Sequence, residues 1–327
     1  MSNHLPTRRA ALLALGGAAA AVGGHAPAPR PPAARPADAP HIDAHVHLVN
    51  SKLPGGLPKP IPLAPFPPGD TEGPAKLARA FEADASAAGV GQALVMPRLE
   101  VGDADPLGIR DVLAMAGHVR GVTVHPVGLM HPERFDRDHL DRVEEVLKQG
   151  KVKALKGFLG YLHYEPAGVG YRRYFPLAAK YKVPVIFHSG DTYSRAAKVK
   201  FAHPLLIDEV AVDFPDNRFV IAHFGNPWLA DAAQVVMKNK NVWADLSAIL
   251  IGNAAAFAEM EKLGVVGRTV KRVKEALEFA DAPERFLFGS DWPLASVPAY
   301  RDFVRRLFDP ADHAGVFGGN AKALFGI

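Results

Sequence analysis

Eight short apolar segments recur along the chain after residue 40, and longer amphipathic segments separate them. Each apolar segment is rich in Val, Ile, Leu or Phe and has the length of a strand buried on both faces of a parallel sheet. These segments are residues 41–48, 92–97, 122–130, 152–159, 183–188, 218–223, 242–246 and 286–289. Strands that alternate with helices predict right-handed crossovers, and eight such units favour an α/β (β/α)8 TIM barrel over an open doubly wound sheet.

The amphipathic segments between these strands carry helix signals. Gly150 follows one segment and Pro204 opens another, as expected for helix ends and starts. We expect helices over residues 74–88, 136–149, 204–213, 227–239 and 254–280. No Gly-x-Gly-x-x-Gly motif follows a predicted strand, which argues against a dinucleotide-binding fold.

The connection over residues 50–73 is dense in proline and has no helical period. A loop of this length in a compact barrel is usually a lid or a substrate loop. An ordered surface extension without a role is the alternative.

The first 36 residues have the layout of an export signal. Thr7-Arg8-Arg9 is followed by the apolar run 10–24, the order found in twin-arginine signal peptides, and the run is too short to span a bilayer comfortably. We therefore expect residues 1–36 to be a signal peptide and a Pro/Ala-rich linker, and residues 37–327 to be one exported domain in the periplasm or cell envelope. An uncleaved membrane anchor and a chance basic N-terminus are the alternatives.

Charge and cysteine content narrow the function further. The formal net charge is +4, and four arginines are the only charged residues before position 37, so the mature domain is close to neutral. A neutral domain does not favour nucleic-acid binding, which uses a basic surface. The chain has no cysteine, which excludes disulfides and thiolate metal ligands.

Polar residues end several of the predicted strands. His45 and His47 lie two residues apart on the first strand, so both side chains point to one face. His188 ends the fifth strand, His223 ends the sixth, and Asp291 follows the eighth. Barrel active sites form at the carboxyl ends of the strands, so the pattern predicts one metal-binding site there.

This ordered set of residues resembles that of the amidohydrolase superfamily, in the branch of aminocarboxymuconate-semialdehyde decarboxylase-like enzymes, from residue 41 to the end. The resemblance implies one divalent metal on His45, His47, His188 and Asp291. It also implies that His223 lies beside the metal, where it polarises the substrate or orients water. Zinc is the first expectation, and manganese, iron and nickel are alternatives.

The leading hypothesis for the reaction is hydrolysis of a carboxylic ester, lactone or amide by metal-activated water. Asp291 would take the water proton and pass it to the leaving group. One alternative is non-oxidative decarboxylation of an aromatic or unsaturated acid. A catalytically inactive barrel that binds a small molecule is the second alternative.

Lys156, on the fourth predicted strand, has two interpretations. Binuclear members of the superfamily carry a carboxylated lysine on this strand, in which case His223 would bind a second ion. In the favoured interpretation, Lys156 is a charged pocket residue that pairs with a substrate carboxylate or with Asp43.

Several other residues are expected to contact the substrate. They are Arg98, Lys156, Tyr193, Trp228 and Trp292. Their arginine, lysine and aromatic side chains suggest a small carboxylate or cyclic compound. No stable membrane span and no nucleic-acid partner are expected, and exposed helix faces could support a homodimer.

Overall fold

The computed structural model describes residues 40–47 and 72–327. The predicted signal peptide and linker, and most of the proline-rich connection, lie outside the described residues. Among the described helices, none combines the length and the apolar character that crossing a bilayer requires.

Eight parallel strands form one sheet in sequence order, and each strand pairs with the next. They are β1 (His41–His47), β2 (Val90–Met96), β3 (Thr123–Leu129), β4 (Ala154–Gly157), β5 (Val185–Phe187), β6 (Phe219–Ile221), β7 (Val242–Asp245) and β8 (Phe286–Leu287). The segment after β8 returns to β1, where Ala44 N–H donates to Phe288 O at 2.9 Å and His47 N–H donates to Trp292 O at 2.7 Å. The predicted (β/α)8 barrel is confirmed.

Helices pack around the sheet, and the last of them lies at the amino ends of its strands. They are α1 (Glu72–Ala87), α2 (Arg110–Ala116), α3 (Arg137–Lys148), α4 (Val169–Arg172), α5 (Phe175–Lys180), α6 (Leu205–Asp213), α7 (Leu229–Lys238), α8 (Ala254–Lys262), α9 (Val265–Ala280), α10 (Val297–Arg305) and α11 (Asn320–Phe325). The prediction of one helix over residues 254–280 is wrong. Gly264 has a φ of 68°, a left-handed conformation that ends α8 and begins α9.

The apolar core has an inner and an outer part. The outer core lies between the sheet and the helices, and the inner core fills the barrel. The inner core consists of Ile42, Ala44, Leu94, Met96, Val127, Ala154, Ile186, Val220, Ala222, Leu287, Ala321, Leu324 and Phe325. The last three come from α11, which lies at the amino ends of the strands, where Arg218 donates to Leu324 O. The carboxyl ends are thereby left for polar residues.

Several strands are shorter than predicted, because their last residues leave the sheet. His188 follows β5 and His223 follows β6. His223 and Asp291 have φ values of 58° and 60°, outside the extended region. His223 and Asp291 are therefore placed by left-handed backbone conformations that follow short strands.

Candidate metal centre

β1 and the segment after β8 bring three polar side chains together. The Nε2 atoms of His45 and His47 are 3.1 Å apart. Asp291 Oδ1 lies 3.5 Å from His45 Nε2 and 3.4 Å from His47 Nε2. The N–H of Asp291 donates to His45 O at 2.8 Å, so the main chain holds the carboxylate against β1.

The hydrogen bonds of His45 decide which of its nitrogens carries a proton. His45 Nδ1 lies 2.9 Å from Asp245 Oδ2, and a carboxylate oxygen only accepts, so Nδ1 carries the proton and Nε2 has a lone pair. Asp291 Oδ1 is buried and accepts no hydrogen bond from the residues that the structure describes. Two lone-pair atoms therefore face each other without a proton between them, an arrangement that a cation would stabilise.

The spacing of the three ligand atoms also fits a divalent ion. Nitrogen and oxygen ligands lie about 2.0–2.2 Å from zinc, so two ligands of a tetrahedral site are about 3.3 Å apart. The observed separations are 3.1, 3.4 and 3.5 Å. Imidazole and carboxylate ligands without thiolate suit zinc, manganese, iron or nickel.

His188 and His223 form a second contact beside this group. His223 Nε2 lies 3.1 Å from His188 Nδ1. His223 Nδ1 lies 2.8 Å from the Ser247 hydroxyl, whose only proton goes to Asp245, so His223 Nδ1 donates and Nε2 has a lone pair. His188 Nε2 lies 3.0 Å from Asp191 O, which only accepts, so its Nδ1 also has a lone pair. His223 Nε2 and His188 Nδ1 therefore face each other with no proton between them.

Two groups of side chains in the described part of the chain have ligand atoms within 4.8 Å of one another. One consists of His45, His47 and Asp291, and the other of His45, His223 and Asp245. In the second group Asp245 is hydrogen-bonded to His45 Nδ1. Three of the four predicted ligands are thus together, whereas His188 belongs to neither group and contacts His223; its role as a ligand stays a prediction.

Lys156 brings a positive charge to the site. It is fully buried, its Nζ donates to His45 Nε2 at 3.4 Å, and it forms no ion pair with a carboxylate of the described residues. Burial lowers the pKa of its ammonium group to about 8, while the negative charges of Asp245 and Asp291 act in the opposite direction.

Burial also keeps the site histidines neutral. It is the largest cause of the lowered pKa of each of them, and the charge of Lys156 acts in the same direction. The pKa of His188 falls to about 3. Neutral imidazole is the form that binds a metal ion.

Burial acts in the opposite sense on Asp291 and raises its pKa to about 7, against the charge of Lys156. A cation bound at Oδ1 would lower this pKa and keep the carboxylate ionised.

A comparison with protein families identifies the chain. A family model described as amidohydrolase matches residues 42–327. The chain belongs to the amidohydrolase family. The predicted membership in this superfamily is confirmed, and the family is metal-dependent. A comparison with curated proteins finds none that matches.

Solved structures share the barrel at low sequence identity. A probable 2-pyrone-4,6-dicarboxylic acid hydrolase from Acinetobacter baumannii is 14% identical, with a TM-score of 0.55 over 88% of this chain and 100% of that one. A 2,6-dihydroxybenzoate decarboxylase from Rhizobium is 14% identical, with a TM-score of 0.55 over 88% and 98%. A 5-carboxyvanillate decarboxylase from Novosphingobium aromaticivorans, solved with manganese, is 14% identical, with a TM-score of 0.51 over 76% and 80%. These likenesses show a shared fold, which both hydrolases and decarboxylases use.

Two of the predicted substrate-binding residues are packed into this amidohydrolase barrel. Arg98 Nε lies 2.5 Å from Asp111 Oδ2, and both side chains are buried. Trp292 is 6% exposed, and its ring centre is 5.2 Å from that of Phe81 on α1. The guanidinium group of Arg98 is therefore held by α2, and the indole ring of Trp292 belongs to the outer core.

Tyr193 and Trp228 lie in the loops after β5 and β6. Tyr193 is 41% exposed, and its N–H donates to the Tyr161 hydroxyl at 3.2 Å. The ring of Tyr161 packs edge-on against His188, with ring centres 4.8 Å apart. Trp228 instead packs against His203, also at 4.8 Å. Tyr193 is therefore connected to the site through Tyr161, a residue that the sequence pattern had not indicated.

Asp43 joins β1 to the segment after β8. Its carboxylate accepts hydrogen bonds from His45 N–H at 3.1 Å, Ser290 N–H at 3.0 Å and the Ser290 hydroxyl at 2.6 Å. Burial raises its pKa to about 7, while these hydrogen bonds act in the opposite direction. The expected pairing of Lys156 with Asp43 is not formed, because Asp43 is occupied by Ser290 and His45.

Two further polar residues at the site, Asp245 and Ser247, were missed by the sequence pattern. Asp245 is the last residue of β7, the same kind of position from which the other site residues were selected. The rule of carboxyl strand ends would therefore have found Asp245. Ser247 has no comparable sequence signal.

Proposed function

We propose that this amidohydrolase hydrolyses a carboxylic ester, lactone or amide with one divalent ion held by His45, His47, His188 and Asp291. This proposal is supported most by the buried approach of two ligand atoms that share no hydrogen bond, His45 Nε2 and Asp291 Oδ1, at 3.5 Å. Zinc is our first choice because a redox-silent Lewis acid is sufficient for hydrolysis, and manganese, iron and nickel are the alternatives.

The bound ion would polarise the substrate carbonyl and bring the pKa of a water molecule from about 15.7 to about 7. Asp291 would accept one proton from the attacking water while the new carbon–oxygen bond forms. It would return that proton to the leaving oxygen or nitrogen as the scissile bond breaks, which regenerates the carboxylate. Because His223 Nε2 has a lone pair, His223 would accept a hydrogen bond from the water and orient it.

Lys156 would supply the positive charge that recognises the substrate. Lys156 Nζ donates its hydrogen bond to His45 Nε2, the same atom to which the ion would bind. The buried ammonium group would then need another acceptor, and a carboxylate or oxyanion of a small substrate provides one. The alternative is carboxylated Lys156 with a second ion on His223.

Non-oxidative decarboxylation of an aromatic or unsaturated acid is the second candidate reaction. It is favoured by the decarboxylases among the structures that share this barrel. The same buried cation and ligand set would hold the acid group, and the reaction would release carbon dioxide rather than add water.

Product analysis distinguishes the two reactions. Wild-type protein refilled with zinc or manganese is incubated with ester, lactone, amide and aromatic acid panels, beside Asp291→Asn and the exposed control His118→Asn. We expect acid and alcohol or amine from the wild type and the control, at rates that fall strongly in Asp291→Asn. Carbon dioxide as the product would establish the decarboxylase reaction instead, and a metal-loaded protein that is inert on every panel would favour the binding-only barrel.

We also propose that the leader directs twin-arginine export to the periplasm or cell envelope. Arg8 and Arg9 precede the apolar run in the order that such signals have. Replacing both with lysine should retain the full-length chain in the cytoplasm, as measured by cell fractionation. Export of the variant at the wild-type level would contradict this proposal.

A further inference from the structure

Asp245 has one buried carboxylate that contacts both His45 and the residues around His223. Its Oδ2 accepts from His45 Nδ1 at 2.9 Å. Its Oδ1 accepts from His223 N–H at 3.1 Å, from Ser247 N–H at 3.1 Å and from the Ser247 hydroxyl. The side chain is 1% exposed, so its hydrogen bonds are made within the protein.

We propose that Asp245 is a positioning residue whose hydrogen bonds fix the tautomers of two histidines at once. It acts directly on His45, whose proton it keeps on Nδ1. It acts on His223 through Ser247, because the hydroxyl gives its only proton to Asp245 and must then accept the proton of His223 Nδ1. Both imidazoles consequently present Nε2 lone pairs. The inference rests on the proposed function only in assigning His45 Nε2 to an ion.

Asparagine at position 245 would reverse this arrangement. If its NH2 group faces His45, Nδ1 must become an acceptor, and the proton moves to Nε2, where it blocks metal binding. If the NH2 group faces the other way, it meets three donors from His223 and Ser247. In the first orientation fewer hydrogen-bond donors face one another than in the second. We therefore expect the NH2 group to face His45 and the tautomer of His45 to change.

The direct test measures the histidine tautomers of the metal-free protein by 15N NMR of the imidazole rings. In the wild type we expect His45 and His223 both protonated at Nδ1. In Asp245→Asn we expect His45 protonated at Nε2, and in Ser247→Ala we expect only His223 to change. A wild-type His45 protonated at Nε2, or an Asp245→Asn protein with unchanged tautomers, would overturn the proposal.

Metal affinity gives the second readout, by titration against a competing chelator. Residues that orient a ligand typically account for about 10–100-fold in metal affinity, and we expect a loss of this size in Asp245→Asn. Asp84→Asn is the matched control, because Asp84 accepts from a backbone N–H and a serine hydroxyl on the outside of the barrel. Its metal affinity should equal that of the wild type.

The outcomes separate this inference from the proposed function. Loss of affinity in Asp245→Asn without a change in the tautomer of His45 would make Asp245 a ligand or a purely structural residue and would overturn the inference. An equal loss in Asp84→Asn would do the same. If the wild type binds no zinc or manganese at all, the proposed function fails, while the NMR result still decides how Asp245 acts.

Discussion

The two halves of the site are held by different kinds of bond. On the β1–β8 side, main-chain hydrogen bonds place the ligands: Asp291 N–H donates to His45 O, and His47 N–H donates to Trp292 O. On the β5–β6 side, His188 and His223 follow short strands, and their rings are fixed by Asp191 O and Ser247. The first half is built into the closure of the barrel, whereas the second depends on its neighbours. We therefore expect the first half to supply three ligands of the ion, His188 of the second half to supply the fourth, and His223 to orient what reacts there.

The rate of hydrolysis should fall most when the carboxylate of Asp291 is removed. Asp291→Asn keeps the backbone and the size of the side chain but removes the carboxylate, which is both the proton acceptor and a proposed metal ligand. General acid–base groups contribute about 10²–10⁴-fold, so the rate of hydrolysis should fall by that factor. The initial rate on a substrate that the wild type hydrolyses is the measurement, and a decrease of less than about threefold would exclude Asp291 as the base.

Two alanine variants, one in each half, should differ in zinc affinity. His47→Ala removes a ligand candidate from the β1–β8 half, and we expect more than about a 100-fold loss of zinc affinity, above the effect typical of orienting residues. His223→Ala removes the water-orienting ring from the other half, so affinity should change by less than about threefold while turnover falls. Equal losses of affinity in a chelator titration would show that His223 is itself a metal ligand.

Lys156→Met tests which part of the substrate the buried charge recognises. A hydrogen bond to a charged group contributes about 1.5–3 kcal/mol, so KM for a carboxylate-bearing substrate should rise about 10–100-fold. KM for an uncharged ester of the same acyl group is the control and should change little. A second ion lost from the variant would instead indicate a carboxylated lysine.

The sequence predicted the β1–β8 half of the site better than the hydrogen bonds and aromatic contacts around it. The eight apolar segments and the pair His45 and His47 follow simple periodicities, so the barrel and the shared face of these two residues could be read directly. The path from Asp245 through Ser247 to His223 could not, because those hydrogen bonds join separate strands. Trp292 shows the same limit: its position beside Asp291 suggested the substrate opening, but its ring packs against Phe81.

Ser290 should contribute a small part of the free energy of unfolding, at the junction of β1 with the segment after β8. Ser290→Ala removes the hydroxyl that donates to Asp43 Oδ2 at 2.6 Å. A buried acceptor that loses its donor costs about 1–3 kcal/mol in the free energy of unfolding, measured by denaturant titration. Ser296→Ala is the matched control, because its hydroxyl lies 3.5 Å from Asp84 and should contribute less. A larger loss in the control would show that the junction is not specially stabilised.

We expect the buried lone pairs of His45 and Asp291 to hold one divalent ion. The most direct measurement is the metal content per chain of the protein purified without chelator, beside Lys156→Ala. We predict about one ion per chain in both proteins, because the proposed site takes one ion and does not include Lys156. A wild-type protein without metal, even after refilling with zinc or manganese, would contradict the proposed metal site.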